Sequence, residues 1–465
     1  MPWFPPARHC SARAEPTMTS ILIGTMSNAQ IESSRTVESE VAQPREFTKA
    51  VTAGTIGNVL EWFDFGVYGY FAPFIGELFF PGSDPLASMF AAFAVLAVGA
   101  LSRPLGAVVF GWIGDREGRR TSLTATVWLM AGSTFLIGIL PTYTEIGVLA
   151  PTLLVVARLL QGLSSGGEWG GSAAYMVEYA PLNRRGFIGS FQQVSTGAGF
   201  FFGSLFGLIL TSTMSDQTIL SWAWRLPFLS GILLGVVGVY MRLRLEDTPE
   251  FQALKQRGGR STSPLIESLR TQWAGITVAF GYNVIQSVGY YTMLTFMPSF
   301  TSEVLKLPPA HAYLSNSIQL LVFVLLLPAM GALSDRIGRR PMLLAPPLIL
   351  ILATYPLFQL IIQGSLTTIL SCQLVFGILL AAYCGPAVAA TVELFPTKLR
   401  YTSVSIGFNL AVALIGMTSP MISTHLISGL GTAAAPAYVV IGASAISLAS
   451  VVFGCRETAF EPLKS

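Results

Sequence analysis

Long apolar segments constrain this 465-residue chain more than any other feature of its sequence. A helix needs about 20 mostly apolar residues to cross the hydrocarbon core of a bilayer, where every backbone polar group must be paired internally. Twelve such segments follow one another, and they predict an all-α polytopic membrane protein with 12 transmembrane helices. The predicted helices cover about 50–75, 86–112, 121–141, 146–175, 187–212, 223–244, 271–299, 312–334, 341–362, 367–390, 401–427 and 435–454.

Composition excludes several other classes of protein. Only 11% of the residues are charged, against roughly 25% in an average soluble chain, and 52% are hydrophobic. A soluble protein of this length needs more charge than that to cover its surface. The net charge of only +3 and the absence of a basic run argue against nucleic-acid binding. The four cysteines lie far apart, so they predict neither a disulfide framework nor a metal site.

The placement of basic residues predicts the orientation in the membrane. All Lys and Arg residues except Arg103, Arg158, Arg225 and Lys306 fall in the N-terminal segment, in the connections that follow even-numbered helices, or in the tail. Basic residues collect on the cytoplasmic side of membrane proteins. We therefore expect a multi-pass protein of the cell (inner) membrane with both termini in the cytoplasm.

Two pairs of motifs indicate an internal duplication. The sequence G-W-I-G-D-R-E-G-R-R begins at Gly111, and its counterpart G-A-L-S-D-R-I-G-R-R begins 220 positions later at Gly331. The second pair is E-Y-A-P from Glu178 and E-L-F-P from Glu393, which lie 215 positions apart. Two nearly equal offsets predict two pseudo-symmetric six-helix bundles, the parallel repeat of a transporter with a central site.

This repeat divides the chain into five predicted parts. They are a disordered cytoplasmic N-terminal segment (1–47), an N-terminal six-helix bundle (48–245), a cytoplasmic central linker (246–270), a C-terminal six-helix bundle (271–455) and a cytoplasmic tail (456–465). The linker is polar, which suits a connection between two bundles that move relative to each other.

Four further motifs make the sequence resemble a known family. They are G-N-V-L-E-W-F-D-F from Gly57, R-L-L-Q-G from Arg158 followed by G-G-E, W-R-L-P-F from Trp224 and E-D-T-P-E-F from Glu246. With the repeated loop motif, they are similar to the major facilitator superfamily and, within it, to the metabolite:proton symporters, which include citrate, α-ketoglutarate, shikimate and proline/betaine carriers. The resemblance runs from about residue 48 to the end. It implies a carrier with two bundles that is driven by a proton gradient.

The first half has five charged residues well inside predicted helices, whereas the helices predicted between 271 and 390 have none. The five are Glu61, Asp64, Arg103, Arg158 and Glu168. Such residues are costly in a bilayer and indicate function by default. At 1.5 Å per residue, Glu61, Asp64 and Arg158 lie near the bilayer midplane. We hypothesise that the two carboxylates share a proton and that Arg158 pairs alternately with them and with an anionic group of the substrate.

Other interpretations of these charges stay open. The alternative is a static buried ion network of the midplane residues that only fixes the first and fourth helices together. Glu168 lies nearer the cytoplasm, where it suits a gate or a proton exit, or packs between helices. Arg103 also lies toward the cytoplasmic end, and its side chain is expected to reach the interface.

Polar residues on four helices are the candidates for substrate contacts. The predicted substrate-binding residues are Asn58, Arg158, Gln161, Tyr282, Asn283, Gln286, Tyr290 and Asn409. The neutral members can orient a solute, but hydrogen bonds between helices explain buried Asn and Gln equally well. The aromatic residues of the first helix, among them Trp62, are expected mostly to pack or to contact lipid.

The loop motifs predict a cytoplasmic gate. Its residues are Gly111, Asp115, Arg116, Gly118, Arg119, Glu178, Arg185, Asp335, Arg336, Arg339, Glu393 and Arg400. The resemblance implies that Asp115 with Arg119, and Glu178 with Arg185, hold the bundles shut on the cytoplasmic side in the outward-facing state. Anchoring of the topology alone would explain the arginines, but not the repeated Asp and Gly.

Together these features predict a proton-coupled symporter that imports a small carboxylate-bearing metabolite, most simply an organic acid, as a monomer in the lipid bilayer. The alternatives are uptake of a zwitterion of the proline/betaine type, or a facilitative uniporter. We expect no enzymatic activity and no cofactor, because the sequence contains no G-x-x-x-x-G-K-[ST] motif and no clustered catalytic or metal-ligating residues. The expected partners are the substrate, protons and lipid, with no nucleic acid.

Overall fold

A computed structural model describes residues 55, 58–59, 61–117, 119–166, 168–243 and 264–463. These residues belong to one compact unit, Thr52–Ser465. They form helices and connecting turns, with no strand in the described part of the chain. The predicted N-terminal segment 1–47 and most of the predicted linker lie outside the described residues.

The described helices form 12 membrane spans, which we number α1 to α12. The first six are α1 (61–70 continued by Ala72–Phe79), α2 (Pro85–Leu101 continued by Arg103–Glu117), α3 (Arg119–Ile139), α4 (Leu149–Ser165 continued by Glu168–Glu178), α5 (Arg185–Thr213) and α6 (Leu226–Leu243). The second six are α7 (Trp273–Val288, Gly289–Thr295, Phe296–Ser299 and Phe300–Val304), α8 (Pro309–Ile337), α9 (Arg339–Gln363), α10 (Leu366–Glu393), α11 (Thr397–Ala411, Val412–Gly416 and Ser419–Leu430) and α12 (Pro436–Gly454). A shorter helix, Pro264–Thr271, precedes α7.

Eight of these spans are long and apolar enough on their own to cross a bilayer: α2, α4, α5 and α8 to α12. The other four fall short for local reasons. The apolar part of α3 is only Thr124–Ile139, α7 is divided into four helical pieces, and the described parts of α1 and α6 end at undescribed residues. Exposed apolar side chains such as Leu352 and Phe453, which are 71% and 89% exposed, cover the outside of the bundle, as lipid contact requires.

Helices of the two halves pack against each other. In the described residues α5 runs along α8, and α2 contacts the second part of α11. We call the end of the bundle where α4, α8 and α10 end and α5, α9 and α11 begin the basic face. The turn between α8 and α9 on this face is the single residue Gly338, whose φ of 102° favours glycine. A Cβ there would also meet the Glu457 side chain.

Close packing of α2 on α4 positions two buried arginines, Arg103 and Arg158. Gly99 and Gly106 of α2 face Gly162 and Gly166 of α4, and a Cβ on Gly162 would collide with the backbone oxygen of Gly99. Small residues let membrane helices approach closely enough for backbones to touch. This approach brings Arg103 of α2 beside the end of the first part of α4.

Replacing Gly162 by Val should therefore force α2 and α4 apart. We expect a loss of about 1–3 kcal/mol of stability, the usual cost of overpacking a filled interior. Thermal unfolding of the purified protein in detergent would show a lower melting temperature. Gly132 of α3, where an added Cβ meets nothing, provides the matched Gly132→Val control. Equal melting temperatures for the two variants would contradict this account of the packing.

Candidate functional site

A small cavity lies between the two halves of the bundle. Its volume is about 10 Å³, which is room for one water molecule. Helices α1, α4 and α5 of the first half and α7 and α11 of the second half line it. The lining residues are Trp62, Trp169, Gln193, Thr196, Gln286, Ser287, Tyr290, Tyr291, Phe408 and Val412.

Both helices that the second half contributes change their winding at this cavity. Residues Gly289–Thr295 of α7 and Val412–Gly416 of α11 form π-helical segments, which begin within or next to the lining residues. A π-helical segment disturbs the regular hydrogen-bond ladder, and such segments often mark functional sites. In α7 the hydroxyl of Thr295 donates to the carbonyl oxygen of Tyr290 at 2.8 Å, which supports the irregular turn.

Aromatic rings from both halves wall the cavity. The rings of Trp169 and Phe408 stack in parallel with their centroids 3.6 Å apart, and so join α4 to α11. The Trp62 ring lies 6.5 Å from Tyr290 and 6.4 Å from Phe408. The sequence interpretation of Trp62 as a packing or lipid-facing residue is therefore incomplete, since this indole forms part of the cavity wall.

Several buried polar atoms of the lining have no hydrogen-bond partner among the described residues. They are Gln193 Nε2, Gln286 Oε1, Ser287 Oγ, the Tyr291 hydroxyl and Trp169 Nε1. Burying a polar group without a partner costs free energy, and binding sites often keep such groups for a ligand to satisfy. The residues around the cavity thus combine aromatic faces with buried donors and one amide acceptor, while the surface of the cavity in this state is mostly apolar.

Only two of the predicted substrate-binding residues, Gln286 and Tyr290, line this cavity. The structure places the other six outside its lining: Asn58, Arg158, Gln161, Tyr282, Asn283 and Asn409. Asn58 donates to the hydroxyl of Ser195 at 2.6 Å, and Asn283 donates to the carbonyl oxygen of Ala279 at 2.7 Å. In this state the Asn58 amide connects two helices, whereas the Asn283 amide bonds within its own helix.

Sequence reasoning missed most of the lining: Trp169, Gln193, Thr196, Ser287, Tyr291 and Phe408. One signal could have found Gln193. Two adjacent amide side chains, Gln192 and Gln193, lie in the middle of α5, and polar residues are costly in a membrane span unless they have a partner. The rings carry no such signal, because an aromatic residue suits lipid and protein interior alike.

Arg103 lies next to the cavity, behind Trp62. Its guanidinium carbon is 5.7 Å from the centre of the Trp62 ring, and Nη2 lies 3.5 Å from Glu61 Oε1. Nε donates to Asn409 Oδ1 at 3.1 Å, across the two halves. The expectation that Arg103 reaches the membrane interface is wrong, since the side chain is fully buried. A carboxylate and an amide oxygen compensate the charge within the protein, so it has no need to reach water.

Among the described residues, Arg158 is linked to Asp64 through two other side chains. Its Nη1 donates to Gln161 Oε1 at 2.5 Å, Gln161 Nε2 donates to the hydroxyl of Thr134, and that hydroxyl donates to Asp64 Oδ2 at 2.8 Å. The guanidinium also lies 3.5 Å from the centre of the Tyr68 ring. The direct pair with Glu61 or Asp64 that the sequence suggested is therefore not formed in this state. Asp64 Oδ1 has no hydrogen-bond partner within the described chain.

At the basic face, ionic contacts cross between the halves. Glu178 Oε1 of α4 lies 2.6 Å from Arg400 Nη1 of α11. Asp335 of α8 accepts hydrogen bonds from the backbone N–H groups of Gly186 and Phe187 of α5, at 2.8 and 2.9 Å. These contacts close the bundle on this side.

This arrangement corrects the predicted pairing of Glu178 with Arg185. Arg185 instead donates to the carbonyl oxygen of Glu461, beyond α12, at 2.9 Å. Arg339 completes the network in the second half, because it pairs with Asp335 at 2.8 Å and with Glu393 at 3.2 Å.

The structure describes less of the remaining predicted gate and proton-coupling residues. Arg336 is exposed. Gly118 and the side chains of Asp115, Arg116, Arg119 and Glu168 lie outside the described part, and of Gly111 only its place in α2 is described. The pairing of Asp115 with Arg119, and the role of Glu168, therefore stay predictions.

The opposite face is closed as well, by neutral contacts. The hydroxyl of Tyr313 in α8 donates to the carbonyl oxygen of Tyr70 in α1 at 2.6 Å. The hydroxyl of Tyr70 donates to the carbonyl oxygen of Leu294 in α7 at 3.3 Å. Asn316 of α8 donates to the Ser204 hydroxyl of α5 at 3.0 Å. With both faces closed over a small central cavity, this arrangement corresponds to an occluded state.

A 12-span bundle in two halves, with a central site and closures at both faces, defines a membrane transporter rather than an enzyme. Comparisons with known proteins agree. Residues 50–275 match the family model "Sugar (and other) transporter". The chain is 37% identical, over 90% of its length and 84% of the relative, to the glycine betaine/proline/ectoine/pipecolic acid transporter OusA of Dickeya dadantii (strain 3937).

Another relative and a solved structure extend these comparisons. The proline/betaine transporter of Escherichia coli (strain K12) is 36% identical, with 90% of this chain and 85% of the relative covered. A partially occluded inward-open structure of the xylose transporter XylE from E. coli superposes with a TM-score of 0.71 over 90% of this chain and 99% of that one, at 18% identity, and so supports the fold. The chain belongs to the major facilitator superfamily and, within it, to the metabolite:proton symporters.

Proposed function

We propose that this chain is a proton-coupled symporter that imports a small zwitterion of the proline/betaine type by alternating access. The observation that carries the proposal is the cavity between the halves, which joins aromatic walls to unpartnered amide and hydroxyl groups beside the Glu61–Arg103 pair. The relatives, which are named as transporters of proline, betaines and similar solutes, support the same substrate class.

Charge compensation favours a zwitterion over an organic acid. In the described residues Arg103 is the cation next to the lining, and Glu61 already lies within 3.5 Å of it. A citrate-like anion would bring several negative charges into this cavity, and Arg103, which already lies beside Glu61, could balance only part of them; buried unbalanced charge is costly. A zwitterion is neutral overall, and its ammonium group can lie against the faces of Trp62 or Tyr290. The alternative substrate class is therefore preferred to the organic acid that the sequence first suggested.

Protons would bind to Glu61 and Asp64, the two buried carboxylates of α1. Asp64 is buried with one oxygen unpartnered among described atoms, and the neutral form of such a carboxyl costs less to bury than the charged form. Protonation of Glu61 would leave the Arg103 charge free to attract the carboxylate of a substrate. Release of the protons would restore the internal ion pair and favour release of the substrate. Proton binding and substrate binding would thus support each other, as symport requires.

Uptake into proteoliposomes tests this proposal. We expect labelled L-proline to accumulate when the outside is acidic, by about tenfold for each pH unit if one proton accompanies each solute, because each pH unit supplies about 1.4 kcal/mol. Unlabelled glycine betaine should compete, and citrate and shikimate should not. Equilibration without accumulation would establish a uniporter. Competition by the organic acids alone would overturn the zwitterion proposal.

A further inference from the structure

The unpartnered polar atoms of the cavity differ in their chemistry. Gln193 Nε2 is a donor, and the hydroxyls of Ser287 and Tyr291 can donate. Gln193 Oε1 lies 3.3 Å from the Tyr290 hydroxyl, which donates to it, and this hydrogen bond directs the amide nitrogen away from Tyr290. The one amide oxygen of the lining that has no partner in the described structure is Gln286 Oε1.

From this arrangement we infer that Gln286 selects zwitterions whose ammonium group carries an N–H, such as imino acids, over those whose nitrogen is fully methylated. The inference rests on the proposed function and refines its substrate class. A carboxylate can accept from the Gln193 amide and from the two hydroxyls. The Gln286 oxygen needs a donor, which an N–H on the substrate can supply and a fully methylated nitrogen cannot.

The aromatic walls do not make this distinction. An ammonium ion and a methylated ammonium ion are both attracted to the faces of Trp62 and Tyr290. The two differ at Gln286, which is only 2% exposed. A methylated nitrogen would leave this buried acceptor unsatisfied, which lowers binding by about 5- to 150-fold.

Two solutes that differ only at nitrogen test the inference. L-proline and N,N-dimethyl-L-proline share the ring and the carboxylate, but only the first has N–H donors. We expect L-proline to compete with labelled L-proline at least about tenfold better than the dimethyl compound in the wild-type protein. In the Gln286→Met variant, which keeps the length of the side chain but removes the amide, the preference should fall to within about twofold.

A matched control separates this effect from a general loss of a buried amide. Gln373 of α10 is also fully buried, both of its amide atoms lack partners in the described chain, and it does not line the cavity. Gln373→Met should keep the wild-type preference. Gln286→Glu, which retains an acceptor, should keep a preference for L-proline. This variant tests the role of the acceptor if the Met variant does not fold.

The outcomes distinguish this inference from the proposed function. If the wild-type protein transports both solutes with equal affinity, the inference is overturned while zwitterion transport stands. The same conclusion follows if Gln286→Met transports and keeps the full preference. If the wild-type protein takes up neither solute, the proposed function itself fails.

Discussion

The Asp64→Asn variant is expected to lose accumulation driven by a pH gradient while it keeps exchange of substrate across the membrane. Asparagine has the shape of a protonated aspartate and can still accept the hydrogen bond from the Thr134 hydroxyl, which lies 2.8 Å from Asp64 Oδ2. It cannot release a proton. The variant should therefore resemble a permanently protonated carrier, which can exchange loaded solute but cannot couple its return to proton loss.

The measurement compares two assays in proteoliposomes. With a gradient of one pH unit, the wild-type accumulation ratio should be about ten for a coupling of one proton to one solute, and the Asp64→Asn ratio should be about one. Counterflow, with unlabelled solute inside and no gradient, should remain within about threefold of wild type. Accumulation by Asp64→Asn at the wild-type ratio would remove Asp64 from the coupling mechanism.

Glu77 provides the matched control. It is another carboxylate of α1, but it is exposed near the end of this helix, away from the basic face. Glu77→Gln should accumulate solute as the wild type does. Glu61 would be a less decisive choice, because its neutralisation also leaves the buried Arg103 without the carboxylate 3.5 Å away.

The positions of the spans could be predicted from the sequence because the bilayer itself sets their length and polarity. The predicted helix 435–454 corresponds to α12 at Pro436–Gly454, and 341–362 corresponds to α9 at Arg339–Gln363. Local signals explain some of the observed ends. The α2 helix begins at Pro85 because the Asp84 side chain accepts from the backbone N–H of Leu86, and the α8–α9 turn falls at Gly338.

The pairing of side chains could not be predicted in the same way. Depth along a helix places Arg103 and Arg158 only along the membrane normal, whereas their partners depend on how the helices rotate and cross. The close approach of α2 and α4 at their glycines brings Arg103 to Glu61, and it leaves Arg158 to reach Asp64 through Gln161 and Thr134. At the basic face, Glu178 pairs with Arg400 of the other half rather than with its neighbour in sequence.

Asp335 holds the two halves together at the basic face. Replacing Asp335 by Asn should shift the protein toward states in which this face is open. The carboxylate accepts two backbone hydrogen bonds at the N-terminus of α5, where a negative charge is also favoured by the helix dipole. Hydrogen bonds to a charged group contribute about 1.5–3 kcal/mol each. Loss of this charge should therefore raise the open population by at least about tenfold.

Thiol labelling at Ser190 measures this population. Ser190 of α5 is fully buried, and its Cβ lies next to Gly331 of α8, so it is shielded only while the two halves are together. In a background in which the four native cysteines are replaced by Ser, Ser190→Cys should react slowly with a water-soluble maleimide. Adding Asp335→Asn should raise the rate at least about tenfold.

Asp84→Asn is the matched control for this gate. Asp84 also accepts a backbone hydrogen bond at a helix N-terminus, from Leu86 at 3.0 Å, but donor and acceptor belong to the same half. This substitution removes the same kind of contact without weakening the contact between halves. The Ser190→Cys labelling rate should therefore stay at its starting value. An equal rise with both substitutions would attribute the labelling to general loosening of the fold, and no rise with Asp335→Asn would show that the two hydrogen bonds to α5 do not hold this face closed.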